Sequence, residues 1–422
     1  MSGIPAAYKQ TEVGVLPKEW GVKPLGVLTS LMTNGFVGTV TNAYVESDDG
    51  VLYVQGYNVE ENGFNFHGIK RVSKAFHAKN KKSCLRSGDV LTIQTGAIGV
   101  STVVPSTLAG ANCHALIISR FDQRASDPRY YCQYFNSERG RAAFKEIETG
   151  STMKHLNVGD MVKLLVPSPP LPEQTAIATA LSEVDAILAK LDQLITKKRD
   201  LKQAAMQRLL TGQTRLPGFG GEWEVKPMRE LGSTYGGLAG KTKEDFGRGS
   251  ARYIPFMNVM ADTIIDPNWL EQVDVESNEM QNVAKKGDLF FNGSSETPEE
   301  VGFCSILLED IPNLYLNSFC FGFRFSSSAK VNGLFFAYWF RSSDGRAAMS
   351  ILAQGATRYN IAKSAFLKLE IPQPTESEQT AIATVLSDMD AELATMEARR
   401  AKTRALKQGM MQELLTGRIR LV

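Results

Sequence analysis

The chain writes one pattern twice. Residues 140–216 recur at 345–421 with a constant offset of 205 positions. Gly140-Arg141-Ala142-Ala143 returns as Gly345-Arg346-Ala347-Ala348, and Leu209-Leu210-Thr211-Gly212 as Leu414-Leu415-Thr416-Gly417. Glu173-Gln174-Thr175-Ala176-Ile177-Ala178-Thr179 returns as Glu378-Gln379-Thr380-Ala381-Ile382-Ala383-Thr384. A solenoid repeats every 20–50 residues or so, because each unit is one supersecondary element leaning on the next. A period of this length instead holds a folded domain and a helix behind it. The chain is a two-fold device in one polypeptide, and such a device suits a two-fold partner.

The two halves also open alike. Lys18-Glu19-Trp20-Gly21-Val22-Lys23-Pro24-Leu25 answers Gly221-Glu222-Trp223-Glu224-Val225-Lys226-Pro227-Met228. The match then loosens, with landmarks at Tyr53 to Val59 against Tyr253 to Val259, and at Gly88-Asp89-Val90-Leu91 against Gly287-Asp288-Leu289-Phe290. Short β-type runs such as 90–93, 116–119, 289–291 and 319–325 lie between turn residues, so each globule reads as a mixed α/β fold. The boundaries follow: globules over 1–165 and 217–371, helical regions over 166–216 and 372–422.

The helices are the clearest elements. From Glu173 to Leu210 there is no Gly or Pro, and Ile177, Leu181, Val184, Leu188, Leu191 and Ile195 alternate four and three apart, as in a coiled-coil seam. Pro172 suits the first helical position and Gly212 the stop. The second copy offers Ile382, Leu386, Met389, Leu393 and Met396, with Thr375 and Glu378 spaced as a capping box and Gly417 at the end. Gly409 is a departure costing about 1 kcal/mol relative to Ala. About 39 residues make a rod of roughly 58 Å. A rod that long with one apolar stripe needs a partner, and the matching seam of the other half is the economical candidate, giving an antiparallel or crossed pair with pseudo-two-fold symmetry; the bland alternative is that each helix packs on its own globule.

The remaining composition is mostly exclusion. With 422 residues and 43% hydrophobic residues, the chain has material for two or three ordinary cores. Cys84, Cys113, Cys132, Cys304 and Cys320 form no Cys-x-x-Cys pair, so neither a zinc site nor a disulfide framework is expected, and a reducing cytoplasm fits. No signal-peptide pattern and no run near the roughly 20 apolar residues of a membrane span is visible. The net charge is only +2, but it is unevenly spread. Residues 1–165 carry 18 Lys and Arg against 14 Asp and Glu, whereas 217–371 carry 15 against 19. A second globule that touches nucleic acid must do so through a local basic face, or a partner must supply much of the phosphate neutralisation.

Catalytic motifs fail on spacing. Gly236-Gly237-Leu238-Ala239-Gly240-Lys241-Thr242 has three residues between the outer glycines where a phosphate-binding P-loop needs four, and no apolar strand precedes it. It reads as a flexible loop whose Lys241 and Lys243 can touch phosphates. Asp266-Pro267-Asn268-Trp269 resembles an amino-methyltransferase tetrapeptide but has Asn at its third position, and a turn accounts for it better. His67, His77, His114 and His155 are dispersed, with no nucleophile or metal spacing. No catalytic or metal-binding residue is expected. Two segments are candidates for contact with DNA. One is the basic run Lys79-Asn80-Lys81-Lys82. The other is Gly150-Ser151-Thr152-Met153-Lys154-His155, which aligns with Gly355-Ala356-Thr357-Arg358-Tyr359-Asn360. Glycine permits close backbone approach, Ser151, Thr152 and Thr357 offer hydroxyls, and Lys154, His155, Arg358 and Tyr359 reach further, toward phosphate or a base edge. The bland alternative is a Gly-led turn that closes each globule.

Pro170-Leu171-Pro172-Glu173-Gln174 with Ile177, Ala178 and Leu181, its repeat Ser377-Glu378-Gln379 with Ile382, Ala383 and Leu386, and the two Leu-Leu-Thr-Gly helix ends resemble the specificity subunit of type I restriction-modification systems. The resemblance covers the whole chain. It implies two α/β target-recognition domains, each followed by a long helix, reading the halves of a bipartite asymmetric site in double-stranded DNA. It also implies docking of two DNA-adenine methyltransferase subunits and recruitment of up to two restriction subunits, with S-adenosylmethionine, ATP and Mg2+ on those partners and none on this chain. On this reading the chain is a non-catalytic cytoplasmic protein of phage defence. The alternative is a two-headed DNA-binding or scaffolding protein that works without a methyltransferase. The second helix departs from the pattern in beginning Pro374-Thr375-Glu376-Ser377-Glu378.

Overall fold

The β-type runs become the central strands of two sheets in the computed structural model, which describes residues 5–421. In the first half the order across the sheet is Ser101–Val103, Val90–Ile93, Leu116–Phe121, Thr29–Asn34, all antiparallel. In the second it is Cys304–Ile306, Leu289–Asn292, Cys320–Phe325, Gly232–Gly236, again antiparallel. Alternation along the strands explains why these runs are apolar throughout. Val90 and Ile117 join a core with Tyr131 and Phe135, while Leu91, Ile93, Leu116 and Ile118 join another on the opposite face. Phe291 and Phe290 divide in the same way in the second half.

The topology repeats where the sequence match loosens. Val51–Val54 lies between Asn112–Cys113, parallel to it, and Lys70–Val72, antiparallel. Phe246–Ile254 lies likewise between Leu314–Leu316 and Glu271–Val273. Each globule is closed by pairing its entry strand with its exit strand, Gly21–Pro24 with Leu165–Ser168 and Glu224–Pro227 with Glu370–Gln373. Each exit strand leads into a 39-residue helix, Leu171–Leu209 or Glu376–Leu414.

The compact units do not follow the order of the chain. One runs to Gln193 and takes in the chain from Glu397 onward, and the other is Leu194–Met396. Each unit therefore holds a globule, the first half of the helix that follows it and the last half of the other helix. In the first unit Ile177, Ala178 and Leu181 pack in a core with Trp20, Tyr130, Leu414 and Leu415. In the second, Ile382, Ala383 and Leu386 pack with Met206, Leu209, Leu210 and Phe335. The opening residues of each apolar stripe thus serve a globule core as well as the helix pair.

Further along, charges set the pairing. Asp185 meets Lys407 at 2.5 Å and Asp192 meets Arg400 at 3.0 Å in the first unit. Lys198 meets Glu392 at 2.5 Å, and Lys202 meets Asp390, in the second. Partner numbers fall as the first rise, so in both units the helix segments run antiparallel. Leu191, Ile195 and Leu393 are buried along this stretch, and Val184, Leu188, Met389 and Met396 are half-buried. The pattern is acid in the first half of each helix and base in the second. Parallel pairing would set like charges against each other, so the sequence disfavours it. Asp185 also accepts a 2.7 Å bond from the Gln133 amide, and Asp390 one of 2.7 Å from the Tyr338 hydroxyl, tying helix to globule at repeat-equivalent places.

Helix ends differ from expectation in detail. Leu171, not Pro172, is the first helical residue, which leaves Pro172 still inside the turn that tolerates it. The capping box at Thr375 is half made. Its hydroxyl accepts the Glu378 N–H at 3.4 Å, but the Glu378 carboxylate, instead of turning back, takes the Arg215 guanidinium and the Trp223 indole N–H at 3.1 Å. A buried charge-assisted bond outweighs a local cap. Gly212 and Gly417 stand at φ 72° and 69° just beyond the helices, the left-handed stop in which glycine is favoured.

Candidate nucleic-acid interface

One end of each four-stranded sheet gathers the loops that the sequence singled out. In the first unit Leu116 faces Ile93 and Ile117 faces Asn34, so residues just past these positions leave the sheet together. Gly35 N–H donates to Leu116 O at 2.7 Å, Phe36 bridges His114, and Leu156 N–H reaches Gln94 O at 2.9 Å. Between Thr149 and His155, which exchange backbone bonds of 2.9 and 3.0 Å, the chain makes a tight hairpin. Gly150 has φ 103°, and a Cβ there would lie 2.2 Å from Met153 O, so the tip requires glycine. Ser151, Thr152 and Lys154 are exposed at this tip, and His155 is half-buried against Thr149.

The basic run is brought to the same neighbourhood. Helix Lys74–Lys79 is capped by the Ser73 hydroxyl and lays Phe76 edge-on against Phe36, with ring centroids 4.9 Å apart. Asn112 anchors the following turn, donating to Asn80 O at 3.0 Å and accepting from the Ser83 hydroxyl at 2.5 Å. Lys79, Lys81 and Lys82 remain exposed, with no ion-pair partner among the described residues.

The second unit builds the same end with other residues. Ile361 N–H donates to Gly293 O at 3.1 Å, and Gly293 N–H to Phe319 O at 2.8 Å. Ala353–Gln354 and Tyr359–Ile361 form the hairpin, which also pairs with Ser294–Ser295. Gly355 has φ 139°, and a Cβ would lie 2.1 Å from Arg358 O. The Gly-led turn and the polar tip are therefore one structure. Thr357 and Arg358 are exposed on it and Tyr359 is half-buried. Glu296, Glu299 and Glu300 are exposed on the loop that follows Ser295, so this face is mixed in charge, unlike the basic one in the first unit.

Lys241 is not the free phosphate-seeking lysine that its loop suggested. Its ammonium is held by Glu279, and the Thr242 hydroxyl and the Asp245 carboxylate cap each other's backbone to stiffen the segment. The Lys241 hydrogen bond, with the Gln281 amide and the Glu276 N–H, pulls the Glu279 carboxyl down to about 2. The pair therefore persists until acid well below the ordinary carboxylate range protonates it. Lys243 stays exposed. Asp266 makes the expected turn, accepting Asn268 N–H at 2.8 Å.

Sequence reasoning missed Phe319. It lies within an apolar run that reads as core, yet it is 54% exposed, and the Arg358 guanidinium sits over its ring at 5.3 Å. Among the described residues no group of three or more His, Cys, Asp or Glu could hold a metal ion, and no helix is long and apolar enough to cross a membrane.

Comparisons with known proteins agree with this two-fold plan. The chain is 21% identical over 440 residues to a putative type I restriction enzyme MjaX specificity subunit of Methanocaldococcus jannaschii, covering 98% of this chain and 97% of that one. It is 23% identical to the MjaVIII specificity subunit of the same organism, covering 83% of each. In fold it resembles the S subunit of a type I restriction-modification system from M. genitalium, with a TM-score of 0.59 at 15% identity, covering 94% of this chain and 96% of that one. A chain from a structure describing complex assembly and conformational transition of the type I system gives 0.55 at 17%, covering 96% and 99%. The family model for the type I restriction modification DNA specificity domain matches twice, over residues 35–198 and 221–403, one match for each globule and helix, and the chain belongs to that family.

Proposed function

We propose that this chain is the DNA-reading subunit of a type I restriction-modification complex, each unit recognising one half of a bipartite asymmetric site. The observation that carries the reading is the repeated sheet end, where both units present a Gly-led hairpin with exposed polar side chains at its tip. Lys154 and His155 in one unit, and Arg358 and Tyr359 in the other, are the side chains long enough to reach a groove, and Lys79, Lys81 and Lys82 supply phosphate contacts that fix register. Different side chains on one scaffold read different half-sites. Linking two weak readers raises their joint affinity through effective concentration. Two methyltransferase subunits dock on the helical regions, and restriction subunits join that assembly. The methyl donor S-adenosylmethionine, and ATP and Mg2+, belong to those cytoplasmic partners.

Modification-sensitive sequencing of host DNA, with and without this gene beside an intact methyltransferase gene, tests the reading. Methyladenine within a motif of two short halves and a fixed gap should appear only with the gene. Unchanged methylation would favour a stand-alone two-headed binder, which should then bind DNA tightly as an isolated chain.

The helices also set an expectation for the gap. Four residues inserted in each, after Gln193 and after Met396, leave all four ion pairs inside their own units intact and keep close to a full helical turn. Each helix lengthens by about 6 Å, so the gap should widen by one to two base pairs at about 3.4 Å each. An active insertion mutant that methylates the original motif would rule this out.

A further inference from the structure

Of the phenylalanines in the chain, only Phe66 and Phe319 are exposed among the described residues. Phe319 is held in place by its backbone. Its N–H donates to the Asn317 side chain at 2.9 Å, and its carbonyl accepts Gly293 N–H at 2.8 Å. A Cβ at Gly293 would stand 3.0 Å from that carbonyl, so the turn is tightly seated. A large apolar ring fixed toward water serves folding poorly. Over it lies Arg358, whose guanidinium has no ion pair among the described residues, in contrast to Arg341 and Arg346, which are bonded to backbone carbonyls. The 5.3 Å separation is within cation–π range, and stacking on a ring restricts a planar fork while leaving its N–H groups free at the edge. The first unit has no counterpart. Met153 takes the place of Arg358, and Ala115, at φ 47°, takes the place of Phe319 before the strand.

We infer that Phe319 is a positioning residue for base readout, holding Arg358 so that its fork meets the O6 and N7 edge of a guanine in the half-site read by the second unit. The inference rests on the DNA-reading function proposed above and adds which residue specifies and what it specifies. A pre-stacked arginine loses less freedom on contact, and a bidentate bond to guanine discriminates where a phosphate contact does not. Lys154, one position further along the first unit's hairpin, has no aromatic platform and is suited to phosphate instead.

The test maps methylation by the complete complex carrying wild-type chain, Phe319→Ala, Phe319→Trp or Arg358→Lys. Phe319→Ala should relax one guanine position, lowering its discrimination about tenfold, while the other half-site keeps its bases. Arg358→Lys should relax the same position, and Phe319→Trp, which keeps a ring, should restore the wild-type motif. A Phe319→Ala complex whose motif matches wild type base for base, or one that relaxes a different position from Arg358→Lys, overturns the inference. If wild-type complex yields no bipartite motif at all, the DNA-reading function itself fails, and that result is separate from any behaviour of the variants.

Discussion

Gly140→Ala and Gly345→Ala should each destabilise the protein by about 3 kcal/mol or more. These glycines head the repeated Gly-Arg-Ala-Ala segments and lie inside helices Glu138–Ile147 and Ser343–Ile351, where alanine is the better helix former by about 1 kcal/mol. Space decides against alanine. A Cβ on Gly140 would lie 2.0 Å from Tyr134 O and 2.8 Å from Phe135 Cα, and one on Gly345 would lie 2.0 Å from Trp339 O and 2.6 Å from Phe340 Cα. Those are backbone atoms of the preceding helix, so relief requires the two helices to separate. That would open the cores containing Phe135 and Phe340. Gly409→Ala is the matched control. It sits in the second long helix with nothing within 4 Å of its would-be Cβ, and should stabilise by up to about 1 kcal/mol. Denaturant midpoints of the three variants measure this, and a Gly140→Ala chain as stable as wild type would refute the close-approach account.

Glu378→Ala should cost about 3 kcal/mol, because it removes the acceptor from a buried charged cluster and leaves its donors behind. The Glu378 side chain is 1% exposed and accepts both the Arg215 fork and the Trp223 indole N–H. The first unit has the same cluster, Glu173 with Arg420 and with Trp20 N–H at 2.9 Å. Glu378→Gln keeps an acceptor oxygen for Trp223 while losing the charge and one of the two oxygens that take the Arg215 fork, so its loss should be smaller than that of alanine. Thermal or denaturant unfolding ranks the two. An alanine variant no worse than the glutamine variant would show that the cluster contributes little beyond solvation. The repeat-equivalent arginines also differ in chain context: Arg215 and Trp223 are joined by a short linker, whereas Arg420 and Trp20 come from opposite ends of the sequence.

Much of this is legible in the amino-acid sequence. An offset of 205 residues, unbroken 3-4 spacing and paired Gly stops require two equivalent globules with long helices, because only a repeated fold conserves such spacing over that distance. The Gly-led tips were also visible, since glycine at a φ near 100° or beyond and a tight carbonyl approach leave a one-residue signature. Several features had no such signature. Lys241 reads as free until Glu279, 38 residues away, is placed beside it, and Phe319 reads as core until its turn is seen to project it.

What the sequence determined by itself was local and periodic: the repeat, the helix lengths, the acid-first and base-last charge order that selects antiparallel pairing, and the turns that need glycine. What only tertiary structure decided was which residues became neighbours. Glu378 satisfies Arg215 and Trp223 rather than its own helix cap, Ile177 and Leu414 share one core, and each unit is assembled from both helices. The physical reason is that period and turn chemistry act within a few residues. Burial and ion pairing instead depend on side chains from tens to hundreds of positions apart, such as Lys241 with Glu279 and Arg215 with Glu378, whose proximity the fold alone creates.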